Sequence, residues 1–123
     1  MLKYERAYSG IAVKDMARAR EFYALTLGVP SSEEYGLMWL DHPGGGATLI
    51  YEQPEATPAS YTVLNFEVGD IDAAVASLTK AGVAIERYPG TELDEKGVFR
   101  GEGPYVAWFK DPSGNVLSVL QER

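Results

Sequence analysis

"GIAVKDMARAREFYALTLGV", Gly10–Val29, reads as a short strand, an acidic stop and a helix closed by glycine. Ile11 and Val13 alternate onto one strand face, and Tyr8, Gly10 and Ala12 onto the other. Asp15 stands where a helix N-cap is expected. Met16, Ala19, Tyr23 and Leu27 then form one helical stripe. Gly28 supplies the left-handed residue that ends a helix cheaply. The same plan returns in "LNFEVGDIDAAVASLTKAGV", Leu64–Val83, where Ile71, Ala74, Val75 and Leu78 make the stripe. Val13, Asp15 and Met16 correspond to Val68, Asp70 and Ile71, all 55 residues later. Gly28 corresponds to Gly82 with one residue fewer in between.

A second block repeats as well. "MWLDHPGGGATLIYEQ" (Met38–Gln53) parallels "AWFKDPSGNVLSVLQE" (Ala107–Glu122). Trp39 matches Trp108, Pro43 matches Pro112 and Gly45 matches Gly114, all 69 apart. Two ordered blocks with constant offsets indicate an internal duplication. "HPGGG" and "DPSGN" carry the proline and glycine of hairpin turns, and the rest of each half reads as three shorter strands. The expected fold is α+β: two β-α-β-β-β modules in a pseudo-twofold arrangement, with curved mixed sheets around a cleft. Residues 1–53 form module one and residues 60–123 module two of a single domain spanning 1–123. Glu52–Ser60 is the connector.

The 123 residues suffice for one domain that buries its own core. With no cysteine, disulfides, thiolate metal sites and cysteine nucleophiles are excluded. A net charge of −7 leaves no electrostatic basis for nucleic-acid binding. No apolar run is long enough for a membrane span, and the first residues carry charges rather than a signal-type apolar stretch. A cytoplasmic protein is expected.

The V-x-D run that reaches Phe22-Tyr23 and Leu27-Gly28, together with Asp111-Pro112-Ser113-Gly114-Asn115, resembles the vicinal oxygen chelate superfamily. That group includes glyoxalases, bleomycin-resistance proteins and extradiol dioxygenases. The resemblance covers nearly the whole chain and implies paired modules around a cleft, with a divalent metal in the family's enzymes. It implies homodimers too, often with clefts built from two subunits. The family's metal-ligand positions fall here on Tyr8, Leu49, Val63 and Ser118. Leucine and valine have no donor atom, and neutral hydroxyls are poor ligands beside imidazole or carboxylate. No family-type metal and no cofactor are therefore expected.

Strand parity adds Tyr51 and Asn65 to the face of those positions. Thr91–Gly103 is the longest non-periodic stretch and is expected to be a binding loop or lid, with Phe99 and Arg100 as its contact residues. The candidate ligand-binding set is thus Tyr8, Leu49, Tyr51, Val63, Asn65, Phe99, Arg100 and Ser118. His42, the single histidine, reads as an exposed turn residue, and Glu67 as a solvated strand end. The expectation is a metal-free binder of a small organic molecule, aromatic or cationic, in the manner of the bleomycin-resistance branch. The alternatives are a glyoxalase-like lyase or dioxygenase-type enzyme, with a metal or without one, and an interaction module whose cleft is filled by its own side chains.

Overall fold

A computed structural model describes every residue, Met1–Arg123, and the chain divides into two compact units, Met1–Thr57 and Pro58–Arg123. The division falls inside the Glu52–Ser60 connector.

The first unit holds a four-stranded mixed sheet of β1 (Ser9–Val13), β2 (Ser31–Glu34), β3 (Leu37–Asp41) and β4 (Ala47–Glu52), in the order β1-β4-β3-β2. β1 runs parallel to β4, and the remaining pairs are antiparallel. Ile11, Val13, Met38, Leu40 and Ile50 are buried, as are Met16, Ala19, Phe22 and Tyr23 of the helical segment. One sheet face and one helix face therefore make this unit's core.

The helix departs from the expected stripe only at its end, at Leu27. α1 (Met16–Arg20) opens as an α-helix capped by Asp15, which accepts from the Arg18 amide. It continues as a π-helical turn, Glu21–Thr26. The Leu27 amide donates to the Phe22 carbonyl, five residues back. Met16, Ala19 and Tyr23 keep the expected stripe and Phe22 is buried beside them, but the wider turn carries later residues out of phase, so Leu27 is only half-buried and Leu25 is 77% exposed. It also accounts for the unequal spacing to the closing glycines. The first module has one residue more between Asp15 and Gly28 than the second has between Asp70 and Gly82. A π turn absorbs an extra residue without displacing the glycine that closes the helix.

The second unit holds β5 (Thr62–Glu67), α2 (Ile71–Lys80), β6 (Tyr105–Lys110) and β7 (Val116–Gln121), with sheet order β5-β7-β6. β5 is parallel to β7, and α2 packs on β6 and β7. The counterpart of β2 shrinks to one bridge, Glu86 to Trp108, where the first unit pairs Ser32 with Trp39. Pro89, which lacks an amide donor, and the turn at Gly90 (φ 85) end the pairing there.

Both offsets recur in the hydrogen bonding. The Met16 amide donates to Glu52 Oε2 at 2.8 Å, and the Ile71 amide to Gln121 Oε1 at 2.9 Å. Each final strand thus ties down an otherwise unpaired amide of its module's helix. The hairpin turns match too: His42 N–H to the Gly46 carbonyl, and Asp111 N–H to the Asn115 carbonyl. Asp111 is buried and accepts from the Ser113 and Asn115 amides and from Asn115 Nδ2. His42 is half-buried rather than exposed, with its Nε2 2.8 Å from the buried Thr48 Oγ1.

Candidate functional site

In each unit the sheet face away from the helix carries the family's candidate positions. In the first, the register aligns Gly10, Leu49, Trp39 and Ser32 across four strands. In the second, it aligns Asn65, Ser118, Trp108 and Glu86. These rows are the duplication seen in three dimensions, because Trp39 and Leu49 reappear as Trp108 and Ser118. The hairpin register, which the sequence leaves open, puts both tryptophans on these faces.

The first face is aromatic and apolar. Tyr8, just before β1 and 48% exposed, meets Trp39 edge to face at 4.6 Å between ring centroids. The Arg6 guanidinium lies 4.9 Å from the Tyr8 ring centre and 5.1 Å from that of Trp39, a cation–π contact with both. Tyr51 lies beside Gly10, whose missing Cβ leaves room for it: a methyl there would sit 3.2 Å from the ring. Leu49 lies between Gly10 and Trp39 in the register. Tyr8, Leu49 and Tyr51 thus share one open face.

The second face is more polar. Ser118 is fully buried, and its hydroxyl donates to Asn65 Oδ1 at 2.5 Å. This corrects the expectation that its hydroxyl meets a ligand directly. Instead the exposed Asn65 presents that pair to the outside. Val63 is the extra residue of a bulge, because Thr62 pairs with Val116 and Leu64 with the adjacent Leu117. Glu67 is exposed, as expected. Tyr88 meets Trp108 edge to face at 5.9 Å, and its hydroxyl is buried without a hydrogen-bond partner. Glu86 and Lys110 pair at 3.6 Å nearby.

Phe99 pairs with Val106, two residues from Trp108 on β6, so the register carries it onto the edge of the second face, whereas Arg100 turns the other way, toward α2. The Thr91–Gly103 stretch is an ordered turn with isolated bridges from Phe99 to Leu93 and to Val106. Asp94 accepts from the Val98 and Lys96 amides and from Arg100 Nε. Burial alone would raise the Asp94 carboxyl, but the Val98 amide, Arg100 and the Lys96 amide together hold it below its ordinary pKa. Arg100 also donates to Asp72 of α2 at 2.6 Å, so its charge clasps the turn to the helix. Phe99 is half-buried, its ring lying where a side chain at Gly101 would go.

The donor chemistry does not suit the family's divalent metal. Tyr8, Leu49, Val63 and Ser118 supply two neutral hydroxyls, one of them already bonded to Asn65. No three His, Asp or Glu side chains cluster in an arrangement that could hold a metal ion.

Arg6, Trp39, Trp108 and Tyr88 lie outside the set expected from the sequence. The repeat offset that pairs the two tryptophans is the available signal for them. Tyr88 and Arg6 have no repeat counterpart that points to them.

The family model for the glyoxalase/bleomycin resistance protein/dioxygenase superfamily matches residues 6–119. No curated protein matches the sequence closely enough to count as a relative. Among solved structures, TnmS3, an antibiotic-binding protein from Streptomyces sp. CB03234, has a TM-score of 0.74 at 23% identity, covering 100% of this chain and 99% of its own. A glyoxalase/bleomycin resistance protein from the same organism gives 0.69 at 24% identity, covering 95% and 100%. The oxidase ChaP-H2 gives 0.71 at 26% identity, covering 99% and 96%.

Proposed function

Because the chain belongs to the glyoxalase/bleomycin resistance protein/dioxygenase superfamily, we propose that it binds a small organic ligand, aromatic or cationic, without a metal. The observation that carries this reading is the chemistry at the ligand positions, Tyr8, Leu49, Val63 and Ser118. In place of metal donors, Leu49 and Val63 offer apolar contact, Tyr8 a hydroxyl and a ring, and Ser118 acts only by holding Asn65. Trp39, Tyr8, Leu49 and Tyr51 supply stacking and apolar surface on the first sheet. Asn65, held by Ser118, supplies a polar contact on the second, beside Val63. Arg6 resting on Tyr8 and Trp39 indicates that this aromatic pair accepts a planar cation.

No helix is long and apolar enough to cross a membrane. The reading also takes the protein to be cytoplasmic and a homodimer, the latter tested by sedimentation equilibrium. A monomer at working concentration would contradict it.

A thermal-shift screen with aromatic, cationic and antibiotic-like compounds tests the main proposal. A ligand at a hundred times its Kd stabilises by about 2.7 kcal/mol. A saturable rise that Trp39→Ala abolishes is the expected result. A rise that survives both Trp39→Ala and Leu49→Glu would refute the site.

One observation favours a second reading, that of an enzyme: the 26% identity to an oxidase. Stoichiometric metal in protein purified without chelator would favour it.

A further inference from the structure

Beside α2 the second unit carries a groove of 630 Å3, a size typical of small-molecule sites, which run from about 300 to 1,000 Å3. Its floor is apolar, with Val75, Ala76, Val83 and Ile85. The groove arises from the reduced strand described above. The segment after α2 meets the sheet only at Glu86, whereas its counterpart in the first unit is the full strand β2. The Asp94–Val98 turn walls one side, contributing Glu95 and Lys96. Its Gly97 backbone lies directly on Ile85, since a Cβ there would fall 2.6 Å from Ile85 Cγ2.

The rim carries three cations, Lys80, Arg87 and Lys96, and two carboxylates, Asp72 and Glu95. Asp72 is already paired with Arg100. Arg87 donates one N–H to the Glu95 carbonyl at 2.6 Å, which leaves its charge uncompensated by a carboxylate. Lys80 and Lys96 enter no ion pair. On a chain of net charge −7, this groove is locally cationic over an apolar floor. An anion is drawn to it, and an apolar body is desolvated in it.

We infer that this groove is a second small-molecule site, separate from the open sheet faces, for an amphipathic carboxylate: an anionic head at the lysine rim and an aliphatic or aromatic body on Val75, Ala76, Val83 and Ile85. The inference does not depend on the open-face reading.

An NMR titration of the full chain with decanoate tests it. Saturable shifts are expected at the floor residues, with decanol and decyltrimethylammonium markedly weaker. Lys80→Glu with Lys96→Glu should weaken decanoate binding by about tenfold, and Trp39→Ala should leave it unchanged. Ala76 is exposed, so Ala76→Trp fills the groove without entering the core and should abolish binding. The inference is overturned by any of three results: no saturable shifts at the floor, equal response to the ammonium analogue, or binding that persists in both the double-lysine variant and Ala76→Trp. Shifts produced only by anionic vesicles, or only by self-association, overturn it as well.

Discussion

Ser118→Glu restores the residue type that the family's enzymes carry at this position, and the structure predicts that it harms the fold without creating a metal site. Ser118 has no exposed surface, pairs in register with Asn65 and Trp108, and gives its only proton to Asn65. A glutamate there needs space for a longer side chain, and overpacking costs about 1–3 kcal/mol. It also buries a carboxylate in a row that holds no cation, the nearby Lys110 being paired with Glu86, and an uncompensated buried charge costs about 3–5 kcal/mol. Neutralisation and partial relaxation limit the sum, so a net loss of about 3–5 kcal/mol is expected. That compares with a total of about 6–18 kcal/mol for a chain of this length. Ser118→Ala is the control. It removes one hydrogen bond, and the exposed Asn65 regains water, so it should cost about 1 kcal/mol. Urea unfolding followed by tryptophan fluorescence measures both variants. Burial raises the new carboxyl above its unfolded-state value, so the charge part of the penalty is absent below that value of about 4.3 and grows as pH rises from there through the folded-state value, while the overpacking part persists at every pH. The reasoning is refuted if Ser118→Glu is as stable as the parent at pH 7, or if it binds zinc or manganese stoichiometrically.

Other substitutions test the supporting structure. Gly97→Ala meets both the Ile85 contact and a backbone φ of +91, and should destabilise by about 2–4 kcal/mol, read as a lower urea midpoint. Glu52→Ala and Gln121→Ala each remove the strand-to-helix tie of one module and should each cost about 1 kcal/mol, while Glu52→Gln should cost only a few tenths. For Asp94, the folded-state pKa is depressed, so its stabilising contribution is complete above the unfolded value of about 3.9 and is lost as pH falls through the folded value. Hydrogen exchange at the Val98 amide should therefore show weakening protection of the turn below about pH 4. Asp94→Asn should flatten that dependence.

The fold is legible in the sequence because each half repeats the same local instructions. The caps Asp15 and Asp70 both accept from helix amides three residues on, and the paired hairpins close on matching bonds. Departures from regular periods are not legible. The π turn after Arg20 leaves the pattern of apolar residues ambiguous between Phe22 and Leu27, and only packing decides. The bulge at Val63 changes register without any glycine to announce it. Alternation puts Ser118 on its observed face, but depth is a tertiary property, and its partner Asn65 lies 53 residues away. The Thr91–Gly103 stretch lacks periodicity because side chains order it, through Asp94 and Arg100, rather than a ladder. Arg100 reads as a free cation in the sequence only because Asp72 and Asp94 are distant or unremarkable there.

The central claim is that the chain binds its ligand without a metal. Isothermal titration of the strongest ligand from the thermal-shift screen, into protein treated with excess chelator and then into protein supplied with zinc, manganese, nickel or iron, tests it most directly. The account predicts the same affinity in both. Binding that appears only with metal present would contradict it.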